Sequence, residues 1–371
     1  MRRLVLCGGG HTHVEVLRRF GDRPLAGCEL VLVSPNRFTP YSGMLPGLIA
    51  GHYRREEAHI DLDRVTGFAG ARFLRTLATG LDPQRRQVTL GDGSTLEFDV
   101  ASLDVGSRPP THTVPGAATH AVGVKPVGAF LQAWSEWIAR ARAGSLARLA
   151  VVGGGAAGIE TLLAMHYRLG RETGRPDAID CHLVTDVDRL LPGHGERVQA
   201  IFRRILAERE VELHLASRVV RVEAGAVYAA SGFCVRADAI VWATGAAPPP
   251  LLRATGLALD AAGFVAVNDR LESISHRHVF AAGDCATVVD HPRPRSGVFA
   301  VREGPPLAAN LRAALEGRPL ARYVPKRRAL ALVSAGDRYA VASRGALALE
   351  GAWAWRWKDW IDRRFMRRYA L

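Results

Sequence analysis

The chain is 371 residues long, 48% hydrophobic and 23% charged, with a formal net charge of +13. That composition excludes a disordered polymer, and the length accommodates two domains, each with its own core. No apolar run reaches the roughly 18 residues of a spanning helix, and Met1–Leu6 runs straight into glycines, which reads as a first strand and not a signal peptide.

The cysteines Cys7, Cys28, Cys181, Cys234 and Cys285 are scattered and form no C-x-x-C or C-x4-C pair. Neither a zinc site nor a redox disulfide is indicated, no metal is expected, and a reducing cytoplasm is the natural compartment. The basic balance can steer a chain toward anionic lipid, nucleic acid or anionic cofactors. No nucleic-acid-binding motif is visible and arginine dominance also fits a GC-rich genome, so nucleic acid is not an expected partner.

In chain order, Met1–Leu6 is apolar and β-rich, Val14–Phe20 has helical spacing, and Glu29–Ser34 reads as a second strand, a βαβ opening. Arg37–Gly51 reads as a long loop, Ala78–Leu90 as a strand and hairpin, and Phe98–Gly106 as a further strand. A helix over Val127–Ala143 carries Phe130, Leu131, Trp134, Trp137 and Ile138. A second βαβ follows: strand Leu149–Val152, helix Ala156–Leu169, strand Cys181–Thr185. Gly195–Arg209 is another helix, and Ala239–Gly245 a strand ending in a turn. Val279–Ala282 and a helix from near Val298 resume the first unit, so the second is inserted into it. The expected domains are 1–112 with 246–320, then 113–245, then a C-terminal segment 321–371. In that segment short alternating strands begin near Ala329, and Gly351–Leu371 is rich in Trp and Arg.

Two glycine turns carry the chemistry. In the first, Gly8 permits a tight turn, Gly10 lets backbone approach a pyrophosphate, and the next helix points its N-terminus at the phosphates. Its third position, usually Gly or Ala, is His13, which either pushes helix from strand or reaches phosphate or ribose. The position normally held by an acid for the ribose hydroxyls is Ser34. His11 and His13 enter a helix two apart and point different ways, which argues against a metal. The second turn is complete, with Gly153, Gly155 and Gly158, then Glu160. Thr185 ends its next strand, Asp186 and Asp188 follow, and no arginine directly follows to hold a 2′-phosphate, which favours NADH over NADPH. The plain alternative for each turn is a structural turn that binds nothing.

The order of first turn, second turn, Val241-Trp242-Ala243-Thr244-Gly245 and then Gly283-Asp284 resembles the two-dinucleotide-binding-domain flavoproteins, the glutathione-reductase-like FAD/NAD(P) oxidoreductases. The resemblance covers roughly residues 1–320. It implies an α/β fold of two Rossmann-like domains, with Asp284 on the ribityl chain of FAD. The loop from Asn36 to Gly51 looks like the one that lies against the flavin ring in type II NADH dehydrogenases and sulfide:quinone reductases, and the latter share a serine at the place of Ser34. Thr39–Tyr53, Val124–Val127 and Trp357–Arg367 look like a type II NADH dehydrogenase-related subfamily associated with selenophosphate synthetase. The cofactor contacts so implied are Gly8, Gly10, His11, His13, Ser34, Pro35, Arg37, Thr39, Pro40, Ala78, Gly106, Ser107, Gly283, Asp284, Val298 and Phe299 for FAD. For the nicotinamide nucleotide they are Gly153, Gly155, Ala157, Gly158, Thr185 and Gly245. Glu160 would orient the nicotinamide, the plain alternative being an acid that only favours the helix dipole. Lys125 would either stabilise a reduced flavin anion or be a solvated lysine.

Departures from the family pattern bound the activity. No cysteine pair lies near the flavin, and Cys285, beside Asp284, reads as buried packing rather than redox. The glutamines of the quinone motif are absent from Gly297–Gly304, which leaves the acceptor unidentified and quinone in doubt. The expected function is a FAD-dependent NAD(P)H dehydrogenase without a redox disulfide. The rivals are a sulfide- or selenium-compound:quinone oxidoreductase and a flavin-binding partner of RNA or selenium machinery with no turnover. In the tail, Trp353, Trp357, Ile361, Phe365 and Tyr369 recur at four-residue spacing, flanked by Arg356, Arg363 and Arg367. Such a helix either rests on an anionic membrane surface, at the inner face of the membrane, or docks on its own domain or a dimer partner. Arg364 and Arg368 interrupt the apolar side and favour docking.

Overall fold

The computed structural model describes residues 1–175, 177–325 and 330–371. Two five-stranded parallel sheets organise it. The first has the order Val279–Ala281, Val100–Leu103, Arg2–Cys7, Cys28–Val33, Arg72–Leu74. The second repeats that pattern as Val122–Gly123, Ala239–Trp242, Arg148–Val152, Asp180–Val184, Glu212–His214. Central strands are apolar on both faces, as a parallel sheet covered on both sides demands: Leu4 to Cys7 and Leu149 to Val151 are fully buried.

Each sheet carries a helix after its central strand, His11–Asp22 after Arg2–Cys7 and Ala156–Thr173 after Arg148–Val152, and an antiparallel three-stranded excursion before the strand that pairs beside it, Val100–Leu103 or Ala239–Trp242. Those excursions are Ala78–Asp82, Gln87–Leu90, Thr95–Glu97 and Val219–Glu223, Ala226–Ala229, Cys234–Arg236. The helix Gly297–Glu316 lies on His11–Asp22 so closely that a Cβ at Gly304 would stand 2.6 Å from Cβ of Glu15.

Three expectations need correction. Arg37–Gly51 is not an open loop: Phe38–Pro40 pairs with His59–Asp61, and Leu45–Ile49 is helical because Met44, Leu45 and Ile49 are buried. The edge strands Arg72–Leu74, Val122–Gly123 and Glu212–His214 went unread because pieces so short show no period. The tail helix, Ala352–Arg367, does not present its four-residue row as one face. Four residues turn about 400°, so each step drifts by about 40°, and the row passes from exposed Trp353 and Trp357 to buried Phe365 and Tyr369. The C-terminal strands are Ala331–Ser334, Ala340–Arg344 and Leu347–Gly351; the expected start near Ala329 lies outside the described residues.

Candidate functional site: two glycine turns and the helix that closes over them

Gly8 takes φ +99°, and a side chain there would overlap the carbonyl of Asp104. A Cβ on Gly10 would overlap the Asp104 carboxyl instead. Asp104 is fully enclosed, and its Oδ2 accepts the N–H groups of Thr12 (2.9 Å) and His13 (3.2 Å) at the start of the helix. Burial pushes this carboxyl up to about 7, against the pull of those two donors. The second unit has Ala243 at the same place, before Thr244-Gly245 as Asp104 stands before Val105-Gly106.

His13 is corrected as a cofactor contact. It is fully buried, with Nδ1 2.7 Å from the Gly8 carbonyl and Nε2 2.8 Å from Ser102 Oγ. The ring fills the gap between strand and helix, with both nitrogens bonded inside the protein and neither left for a ligand. Gly158 holds that place in the second turn, where a Cβ would overlap the Gly153 carbonyl.

The end of the first sheet gathers a polar cluster. Asp284 Oδ2 accepts from Lys125 Nζ at 2.6 Å and Ser107 Oγ at 3.2 Å, while Oδ1 is buried without a partner. Burial raises the Asp284 pKa, but the Lys125 charge and these hydrogen bonds outweigh it and leave the carboxyl below its ordinary value. Lys125 is half-exposed, and its ammonium is paired with this carboxylate. His11 is enclosed beside Tyr41 (5.5 Å, edge-on), and its Nε2 has no partner. Burial, then the Lys125 charge, push this imidazole down to about 4, so it is neutral. Gly283 takes φ +67° and donates its N–H to Glu303, which is buried and paired with Arg293. Thr39 donates its hydroxyl to the Gly9 carbonyl, tying the 38–51 segment to the turn. Val298 is exposed and Phe299 buried at the start of the helix above.

The remaining implied contacts are more dispersed. Ser34 is buried at the strand end, Pro35 is exposed, and Arg37 is held by Asp61 and Asp63. Ala78 opens the first antiparallel excursion. Around Gly106 and Gly245 a Cβ would meet nothing within 4 Å. A buried polar group left unpaired costs about 1–3 kcal/mol. Two such atoms, Asp284 Oδ1 and His11 Nε2, beside an open glycine turn fit a ligand with hydroxyls and heterocyclic nitrogens, as FAD has.

In the second turn Gly153 takes φ +129° with Ala243 O 2.5 Å from its Cβ position, whereas a Cβ at Gly155 meets nothing within 4 Å. That open position and exposed Ala157 leave the helix N-terminus free for an anion. Thr185 is buried against Gly154. Asp186 and Asp188 are exposed, and Arg189 pairs with Asp188. Sequence reasoning missed Arg218: Ser217 donates its N–H to the Thr185 carbonyl at 2.7 Å, which brings an arginine to the strand end in space though not along the chain. Glu160 does more than favour a helix dipole. Its Oε1 accepts the Ser334 N–H at 2.7 Å, and burial pushes its carboxyl up to about 7, opposed by Lys358.

Lys358 belongs to the tail helix, which docks over the same region. Its ammonium reaches the Gly43 carbonyl and Asp362. Phe365 stacks on Tyr41 at 4.3 Å, Tyr369 donates to Glu15 at 2.8 Å, and Arg363 lies over Tyr53. The outer face holds Trp353, Trp357 and Trp360, each 40–51% exposed, with exposed Arg356, Arg364, Arg367 and Arg368. Cys7, Cys181 and Cys285 are buried with thiols pushed up by burial, and Cys285 Sγ turns inward to the Ala282 and Leu103 carbonyls.

Residues 2–304 match the family described as Pyridine nucleotide-disulphide oxidoreductase. The chain belongs to that family. It is a FAD-dependent NAD(P)H oxidoreductase of the NADH dehydrogenase-like kind. It is 26% identical over 299 residues to the NADH dehydrogenase-like protein YutJ of Bacillus subtilis, covering 79% of each chain. To an NADH dehydrogenase-like protein of Mycobacterium tuberculosis it is 29% identical over 301 residues, 77% of this chain and 73% of that one. The fold superposes on the sulfide:quinone oxidoreductase of Aquifex aeolicus with a TM-score of 0.84 at 17% identity, covering all of this chain and 91% of that one. For NDH2 of Plasmodium falciparum in complex with NADH the values are 0.81 and 13%, covering 99% and 98%. Both structural likenesses concern the fold alone.

Proposed function

We propose that this chain takes a hydride from NADH at the second glycine turn and passes the electrons through FAD, bound at the first, to a separate acceptor without using a disulfide. The observation that carries this is the pairing of two built cradles: unpartnered Asp284 Oδ1 and His11 Nε2 at one, open Gly155 at the other. When bound, FAD supplies the hydride and single-electron chemistry that no side chain here can. Asp284, fixed by Lys125 and Ser107, would accept from the ribityl hydroxyls. Gly106 leaves room for the ring system, and neutral His11 presents a nitrogen to it. Glu160, held by Ser334, and the docked tail helix screen the nicotinamide side from water. The turned-in Cys285 speaks against the sulfide-oxidising rival, which needs a thiol at the flavin.

The acceptor reading rests on the outer face of the tail helix. Three tryptophans with four arginines on one face suit an anionic membrane surface, and the inner face of the same helix touches Tyr41 and Gly43 in the segment assigned to the flavin. That favours a membrane-dissolved quinone as the acceptor, reached from a surface-bound enzyme. Among the described residues no helix is long and apolar enough to cross a membrane. Steady-state NADH oxidation with soluble quinones, sulfide and selenium compounds as co-substrates tests the whole reading; flavin reduction without turnover on any quinone would remove the acceptor assignment.

A further inference from the structure

A side-chain cluster on the second sheet is used by nothing described so far. His182 lies on Asp180–Val184, and Glu212 and His214 on the edge strand Glu212–His214. The strands run parallel with His182 opposite Glu212 and Val184 opposite His214. Side chains two apart share a face, so this register puts all three on one side of the sheet. Leu183 and Leu213 face the other side, into the core.

The three ligand atoms form a small triangle. His182 Nδ1 is 3.2 Å from His214 Nε2 and 3.2 Å from Glu212 Oε2, and His214 Nε2 is 3.7 Å from that oxygen. Four-coordinate Zn²⁺ binds imidazole nitrogen and carboxylate oxygen at about 2.0–2.2 Å, which sets tetrahedral ligand-to-ligand separations of roughly 3.3–3.5 Å. Each side of the triangle lies within about 0.2 Å of that spacing. Two imidazoles and one carboxylate also match the donor chemistry of zinc.

The site is held and reachable. The histidine side chains are 12% and 15% exposed and that of Glu212 66%, so the nitrogens sit at the floor and the carboxylate closes from solvent. Phe233 packs on the His214 ring at 4.6 Å. Both rings rise from strands paired by backbone hydrogen bonds, so little ordering is required on binding.

We propose that His182, Glu212 and His214 form a Zn²⁺ site at the edge of the second sheet, with a fourth position open to water. Bound metal would brace the edge strand against Asp180–Val184, whose end at Thr185 lies at the second glycine turn. The proposal is independent of the hydride-transfer reading, because it needs neither nucleotide.

The test uses tag-free, FAD-loaded protein stripped with chelator and titrated with zinc chloride, followed by calorimetry and metal analysis after dialysis. One Zn²⁺ per chain is expected, with a raised unfolding temperature, since a ligand that binds only the folded state stabilises it. His182→Ala and His214→Ala should each weaken uptake at least tenfold with flavin content and NADH reduction unchanged. Cobalt(II) bound to the unmodified protein should show the intense visible bands of tetrahedral coordination, a readout that needs no variant. No uptake by the unmodified protein, a pale octahedral cobalt spectrum, or equal uptake by the two histidine variants would each overturn the site.

Discussion

Lys125 Nζ lies 2.6 Å from Asp284 Oδ2, and this contact joins the entry to the second sheet to the turn that ends the first. One carboxylate oxygen is thereby spent on the inter-unit link and the other is left for the cofactor. Asp284→Ala should release FAD at least tenfold faster, as followed by flavin content after gel filtration. Lys125→Met removes a half-exposed pair, worth about 1 kcal/mol or less to stability. It should keep FAD yet slow reduction by NADH, because the two units lose their link. Retention of FAD by Asp284→Ala at the unmodified level would remove this carboxylate from the flavin site.

The glycines of the second turn are not equivalent. A Cβ at Gly155 meets nothing, while one at Gly153 or Gly158 meets backbone. Gly155→Val should fold, hold FAD and resist reduction by NADH, since its branched side chain fills the space assigned to the pyrophosphate. Gly158→Val should lower the yield of folded protein instead. Reduction of Gly155→Val at the unmodified rate, measured by anaerobic stopped flow, contradicts the assignment.

Arg218 stands next to Thr185 through the Ser217 N–H. If it meets a 2′-phosphate, Arg218→Ala should raise KM for NADPH about tenfold and leave KM for NADH within about twofold, one charge-assisted hydrogen bond being worth about 1.5–3 kcal/mol. Equal effects on both nucleotides would leave NADH preferred for reasons outside this arginine.

Acid stability should carry the signature of the first turn. His11 and His13 are pushed to about 4 from 6.5 by burial. Below 6.5 the unfolded chain binds protons that the folded chain refuses, so their contribution is complete above 6.5 and is lost as pH falls toward 4. Asp104 has the opposite sign. Its carboxyl, raised from 3.8 to about 7 by burial, favours the folded state below 3.8, and that advantage is lost as pH rises to 7. Urea unfolding from pH 4 to 8 should show a flatter acid limb for His13→Asn and a steeper one for Asp104→Asn. Parallel curves for all three proteins would refute the burial of these groups.

The tail helix has two separable faces. Ending the chain after Gly351 removes Phe365 from Tyr41 and Tyr369 from Glu15, so it should cost stability and FAD as well as any lipid contact. Replacing Trp353, Trp357 and Trp360 together by serine leaves the docked face intact. That variant should keep NADH reduction and lose binding to anionic vesicles, with the unmodified protein's binding weakening as salt rises. Unchanged vesicle binding by the triple variant places the lipid-facing surface elsewhere.

Both glycine turns and the central strands were legible because each is local: Gly8, Gly10, Gly153, Gly155 and Gly158 lie a few residues apart beside apolar runs. The docking preference for the tail was legible from Arg364, which does face outward beside Trp360. Asp104 was missed although the internal repeat held the signal, since it stands where the second unit has Ala243. Arg218 and the cluster of His182, Glu212 and His214 were not legible, because parallel strands far apart in sequence bring them together.

The central claim is that one chain holds a flavin and reduces it with a nicotinamide nucleotide without help from a thiol. Anaerobic titration with NADH of a variant in which all five cysteines are serine or alanine tests it most directly. The purified protein should be yellow, and its flavin absorbance should bleach in proportion to NADH added, reaching completion near one NADH per FAD. Colourless protein that takes up no added FAD, or bound flavin that NADH leaves oxidised, would contradict the account.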